Sequence, residues 1–133
     1  MISKVNYLGE LRTESVHLKS KKVILTDAPT DNQGKGKAFS PTDLVATALA
    51  SCMLTIMGIV GKRDGIDIKG TIAEVEKIMS HNPRRISEIK VSFFFNKPLN
   101  KIERKKLERA ARTCPVSGSL HKDLKETIVF IYN

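Results

Sequence analysis

The sequence predicts an α+β domain with the element order βββαββααβ, in which antiparallel sheets are segregated from the helices. Three observations point there. Alternating apolar and polar residues recur in several short and two longer stretches, a charge-free apolar run fills 44–60, and capping residues mark helix starts. No Pro-, Gly- or Ser-rich linker divides the 133 residues, so one domain over 1–133, large enough for its own core, is expected.

In chain order, strands are expected at 2–8, 12–18 and 22–26, separated by Gly9 and by a charged turn at 19–21. The polar stretch 27–39 contains Pro29, Gly34 and Gly36 and reads as a loop without regular structure. Ser40 then has the features of an N-cap, with Pro41 at the first helical position and Asp43 where an acid suits the helix dipole. This helix should run to about Lys62 or Arg63. Its charge-free part falls short of the ~20 residues that span a bilayer, and Ala, Ser, Thr and Gly dilute it further, so a buried central helix is predicted. Because it is apolar on all faces, one sheet cannot cover it, and part of it is expected to meet another subunit.

Alternation over 66–77 and 86–95 predicts two long antiparallel strands joined by a turn at 80–84. Asn100 with Glu103 resembles a capping box and opens a helix that ends near Cys114. A short helix at 115–124 and a closing strand at 127–132 complete the order.

The net charge of +9 brings nucleic acid into consideration, with basic residues concentrated at 19–22, 35–37 and 101–112. Aromatics are few, Trp is absent and no nucleic-acid-binding module is present. In 101–112 the basic residues alternate with Glu103 and Glu108 opposite Ile102, Leu107, Ala110 and Ala111, as on a solvated helix face. Nucleic acid is therefore not the expected partner. Gly36-Lys37 before a helix suggests a phosphate loop, but Ala38 stands where Ser or Thr is required. His17, His81 and His121 lack the paired spacing of metal ligands, so no metal is expected. The first residues lack the apolar core of a signal peptide, which predicts a cytoplasmic location without a membrane anchor and with reduced thiols.

The two cysteines carry the chemistry. Cys52 lies inside the apolar run, and Cys114 precedes Pro115, so Cys114 reads as an N-cap whose sulfur meets backbone N–H groups and is favoured as thiolate. On local features alone both also read as inert buried thiols.

Ser40-Pro-Thr-Asp-Leu-Val-Ala-Thr-Ala-Leu-Ala-Ser-Cys52, followed by Thr113-Cys-Pro-Val-Ser117, resembles the OsmC/Ohr family of thiol peroxidases. The resemblance covers nearly the whole chain. It implies an intertwined homodimer, with long central helices packed between curved sheets and two active sites at the subunit interface. It further implies reduction of organic or lipid hydroperoxides without metal or flavin, with Cys52 as the peroxidatic thiolate and Cys114 as the resolving thiol. The two would form a disulfide that an external dithiol reduces. Arg12, after the first strand, matches the family's activating arginine, although it also reads as a strand-end surface charge. Family peroxidases carry Glu directly after the Pro of the helix start. Here Thr42 occupies that place and Asp43 follows, so these two are the candidate supporting residues, and a helical step of about 100° turns Asp43 toward capping instead of Arg12. A non-enzymatic redox-responsive or small-molecule-binding protein on the same scaffold is the alternative.

Overall fold

The structure is a computed structural model that describes Met1–Asn133. Two compact units are present, Met1–Val45 and Ala46–Asn133. In the first, β1 (Ser3–Gly9), β2 (Arg12–His17) and β3 (Val23–Asp27) form the expected antiparallel meander. Gly9, Glu10 and Leu11 turn the chain with positive φ, and the Tyr7 hydroxyl accepts from the Leu11 N–H at 3.2 Å. Thr30–Asn32 forms one 3-10 turn inside the stretch expected to be wholly irregular. Gly34 is required there, because a Cβ would lie 1.6 Å from the Ala28 carbonyl oxygen.

Helix α1 (Pro41–Asp64) starts where the sequence predicts and ends one residue later than expected. Ser40 Oγ accepts from the Asp43 N–H at 3.0 Å while Asp43 accepts from the Ser40 N–H at 2.9 Å, so two otherwise unpaired donors are satisfied reciprocally. In the second unit, Ala46, Leu49, Ala50, Met53 and Met57 recur at helical spacing and turn one face of α1 into the core. Helix α1 has 24 residues, and an 18-residue stretch of it has a mean hydropathy of 2.1, so it meets the length and apolarity of a bilayer span. Only 33% of that apolar stretch is fully buried, and Val45 and Ile59 of α1 are left exposed within one chain.

Strands β4 (Ile72–Ser80), β5 (Arg85–Phe94) and β6 (Lys125–Ile131) form the second sheet, with β5 central. A register shift after Ile78 leaves Ser87 out of the pairing, and the resulting change of phase lets Ile86 and Ile89 both point inward beside Val91 and Phe93. Two expectations need correction. Residues 66–71 precede the strand: Ile66 donates to the Gly61 carbonyl, Thr71 donates to the Ile68 carbonyl, and Gly65 and Gly70 take positive φ. The apolar alternation of Ile66 and Ile68 serves packing there, not strand pairing. The sheets are also not wholly antiparallel, since β5 and β6 run parallel. Helices α2 (Lys101–Ala111) and α3 (Pro115–Ser119) supply the crossover that a parallel pair requires.

The predicted capping box of α2 is formed in both directions, Asn100 Oδ1 accepting from Glu103 N–H and Glu103 from Asn100 N–H at 2.9 Å each. Leu107, Ala110 and Ala111 are its buried residues. Helix α3 is shorter than expected because Leu120 already has extended φ and ψ.

Candidate functional site

In the second unit Cys52 and Cys114 are brought together. Cys52 sits on α1, half-buried and packed on the core, whereas Cys114 is 2% exposed; both are free thiols, and they are neighbours. The Cys-Pro step explains how Cys114 is held. Pro115 opens α3, Cys114 adopts the extended cap conformation, and its Sγ accepts the Ser117 N–H at 3.3 Å.

The expected preference of Cys114 for thiolate is not met. Burial pushes this thiol up, the Ser117 N–H pulls it down, and the neighbouring Cys52 pushes it up again, with a net rise. Desolvation of a sulfur anion thus outweighs the backbone donors of Ser117 and Val116 at the start of a five-residue helix. Ser117 is itself fixed, because its hydroxyl donates to the Glu126 carboxylate on β6 at 2.8 Å. No sequence pattern links Ser117 to Glu126, since only the β5–β6 crossover brings them together.

In the first unit, Arg12 Nε donates to Asp27 Oδ1 at 2.6 Å. Asp27 is 1% exposed and also accepts from the Lys37 N–H at 2.9 Å. The guanidinium is therefore oriented by an acid on β3. Arg12 and Asp27 are direct cross-strand partners, a signal available from the sequence only once the β2–β3 register is known. Asp43 caps α1, as the helical-step argument predicts, and the Thr42 hydroxyl pairs with Ser40 Oγ at 3.2 Å. The histidines serve local contacts: His17 Nδ1 bonds the Ser20 hydroxyl at 2.6 Å, and His121 Nδ1 accepts the Asp123 N–H at 3.0 Å.

The model of the OsmC-like protein family matches residues 34–128. Among solved structures, a proposed osmotic stress induced and detoxification response protein of Psychrobacter arcticus is 52% identical, with a TM-score of 0.95 over 98% of this chain and 95% of that one. An OsmC-like protein of Mycoplasma pneumoniae is 19% identical with a TM-score of 0.81, over 98% and 94% of the two chains. The organic hydroperoxide resistance protein OsmC of Legionella pneumophila is 18% identical with a TM-score of 0.77, over 98% and 95%. These last two support the shared α+β fold. No curated protein sequence matches the chain.

Proposed function

Since the chain belongs to the OsmC-like protein family, we propose that it is a thiol-dependent peroxidase acting on organic or lipid hydroperoxides. The observation in its favour is that a half-buried helix thiol, Cys52, neighbours a capped buried thiol, Cys114. The Cys52 thiolate attacks the distal peroxide oxygen, the O–O bond breaks, and the alkoxide leaves as an alcohol after taking up a proton. Cys52 is then a sulfenic acid. Cys114 attacks its sulfur, water departs and a disulfide forms. An external dithiol returns both thiols by exchange. Arg12, already oriented by Asp27, is the cation assigned to assist the first oxidation.

The working unit is proposed to be a homodimer. Val5, Tyr7, Val23 and Ile24 are exposed in the first unit, and Val45 and Ile59 are exposed on α1, large apolar side chains that a partner subunit would cover. A second reading, a redox-responsive or ligand-binding protein without turnover, is favoured by one feature: Asp43 is engaged in capping α1.

Substoichiometric organic hydroperoxide should convert the pair into one intramolecular disulfide, read by mass spectrometry. Cys52→Ser should abolish peroxide consumption with a dithiol, Cys114→Ser should permit a single oxidation without recycling, and Arg12→Ala should slow the first oxidation. Because the Cys114 thiol is raised, disulfide formation should accelerate as pH rises through and beyond the ordinary thiol value of 9.0. Parental peroxide consumption by Cys52→Ser would overturn the reading. Oxidation without turnover would leave the redox-responsive alternative, and a folded monomer in sedimentation would remove the dimer.

A further inference from the structure

On β6 residues 126, 128 and 130 share the sheet face that holds the core, because their partners on β5 are Ile89, Val91 and Phe93, all fully buried. Ile128 and Phe130 pack there as that face requires. Glu126 breaks the apolar pattern. Its neighbour Thr127 belongs to the opposite face and donates to Glu88, so the alternation is intact and no bulge turns the acid outward. A half-buried carboxylate thus stands where the pattern calls for a β-branched apolar residue, at a cost in hydration.

What the carboxylate holds is Ser117, whose hydroxyl lies 2.8 Å from each of its two oxygens. The N–H of the same serine donates to Cys114 Sγ at 3.3 Å. One residue therefore ties a sulfur to a fixed point on the central sheet. The tie matters because α3 has only five residues, none of them fully buried, and a single short turn does not hold its own orientation. We propose that Glu126 is a positioning residue for Cys114: by anchoring the Ser117 hydroxyl it aims the Ser117 N–H at Cys114 Sγ and keeps that sulfur in place beside Cys52.

The part this plays in turnover rests on the peroxidase reading, in which Cys114 resolves the Cys52 sulfenic acid. In that step Cys114 gives up its proton, the S–S bond forms, the S–O bond of Cys52 breaks, and hydroxide leaves as water with that proton. An N–H aimed at the sulfur favours the attacking thiolate, the pull that burial opposes at this thiol. Glu126 acts only through Ser117.

Direct action by charge is the competing account, and it has the opposite sign, since a nearby carboxylate disfavours a thiolate. Two other titratable groups enter the comparison. Cys52 neighbours Cys114, and Lys77 of β4 stands at the far end of the row that runs through Ile89 to Glu126. Glutamine at 126 removes the charge and keeps an acceptor for Ser117, whereas valine removes both and suits the inward face.

Ultraviolet titration of the Cys114 thiolate in a Cys52→Ser background, with the Cys52→Ser, Cys114→Ser protein subtracted, tests the proposal without peroxide and without the neighbouring thiol. Glu126→Val and Ser117→Ala should each raise the midpoint by about one pH unit. Combined, they should raise it no further, because both cut the same link. Glu126→Gln should stay within about 0.3 units of the parent. With Cys52 present, disulfide formation after one addition of organic hydroperoxide should slow about tenfold in Glu126→Val and in Ser117→Ala, as the thiolate fraction falls. A lowered midpoint in both Glu126 variants would show that the acid acts by charge and would overturn the proposal. So would additive shifts, a glutamine midpoint as high as that of valine, or an unchanged midpoint in Ser117→Ala; this last variant carries the test if Glu126→Val does not fold. The expected shifts in a protein that never turns over peroxide would refute the peroxidase reading alone, and turnover without the shifts would refute the positioning role alone.

Discussion

In Met1–Val45 the buried residues are Thr26, Asp27 and Ser40, all polar, while in Ala46–Asn133 the buried residues are all apolar, from Ala46 to Cys114. The first unit is organised by bonds that specify geometry: Arg12 to Asp27, Thr13 to Thr26, and Ser40 to Asp43. The second is organised by apolar burial, with Leu49, Met57, Ile89, Val91, Phe93 and Leu107 fully enclosed. A three-stranded sheet without an apolar interior gains little from folding alone. The difference teaches that polar bonds can set the orientation of a side chain such as Arg12 in a unit that encloses no apolar core of its own.

The largest effect should come from the apolar side of this comparison. Phe93 is completely buried on β5 and stacks on Phe130 with centroids 5.5 Å apart. Phe93→Ala should cost about 3–5 kcal/mol in urea unfolding, from lost transfer energy and the cavity left behind. A cost below about 1 kcal/mol would mean that the sheet is not the foundation of the second unit.

A smaller effect is expected where polarity is buried. Arg12→Ala leaves the Asp27 carboxylate, 1% exposed, with only the Lys37 N–H at its other oxygen. Arg12 is itself 33% exposed, so water relieves part of the loss, and a cost of about 2 kcal/mol is expected. The double variant Arg12→Met, Asp27→Leu should recover most of it. If the single substitution were neutral, the ion pair would not be what fixes the first unit's interior.

Legibility from sequence divides along the same line. Signals contained within a few residues were readable: the Asn100–Glu103 capping box, the Ser40–Asp43 helix start, and the Cys114 cap implied by the Cys-Pro step. The meander and the helix on which Cys52 sits were also plain from periodicity and charge. What depends on register or burial was not. Asp27 as the partner of Arg12 needs the β2–β3 pairing, and the parallel β5–β6 pairing needs the path of the crossover. The direction of the Cys114 shift depends on a burial that no local pattern encodes, so the cap was identified while its effect on ionisation was misjudged. The proximity of Cys52 and Cys114 came from family resemblance, not from spacing.

The smallest expected effect tests a polar bond placed within the apolar unit. Tyr132 stacks on Phe95 with centroids 5.0 Å apart, lies under the Arg104 guanidinium at 4.3 Å, and donates its hydroxyl to Glu108 at 2.6 Å. Burial, then the Glu108 carboxylate, pushes the phenol well above its ordinary value of 10.0. A folded-state value above the unfolded one means that the bond's contribution is complete below pH 10 and is lost as pH rises toward the folded value. Tyr132→Phe keeps the ring stack and removes only the hydroxyl, so it should cost about 1 kcal/mol at pH 7, because solvent reaches the pair. The gap between parent and variant should then narrow as unfolding is measured at increasing pH above 10. No gap at pH 7 would show that packing of the ring, and not the bond to Glu108, is what Tyr132 contributes, and would extend the apolar rule of the second unit to the residue after its last strand.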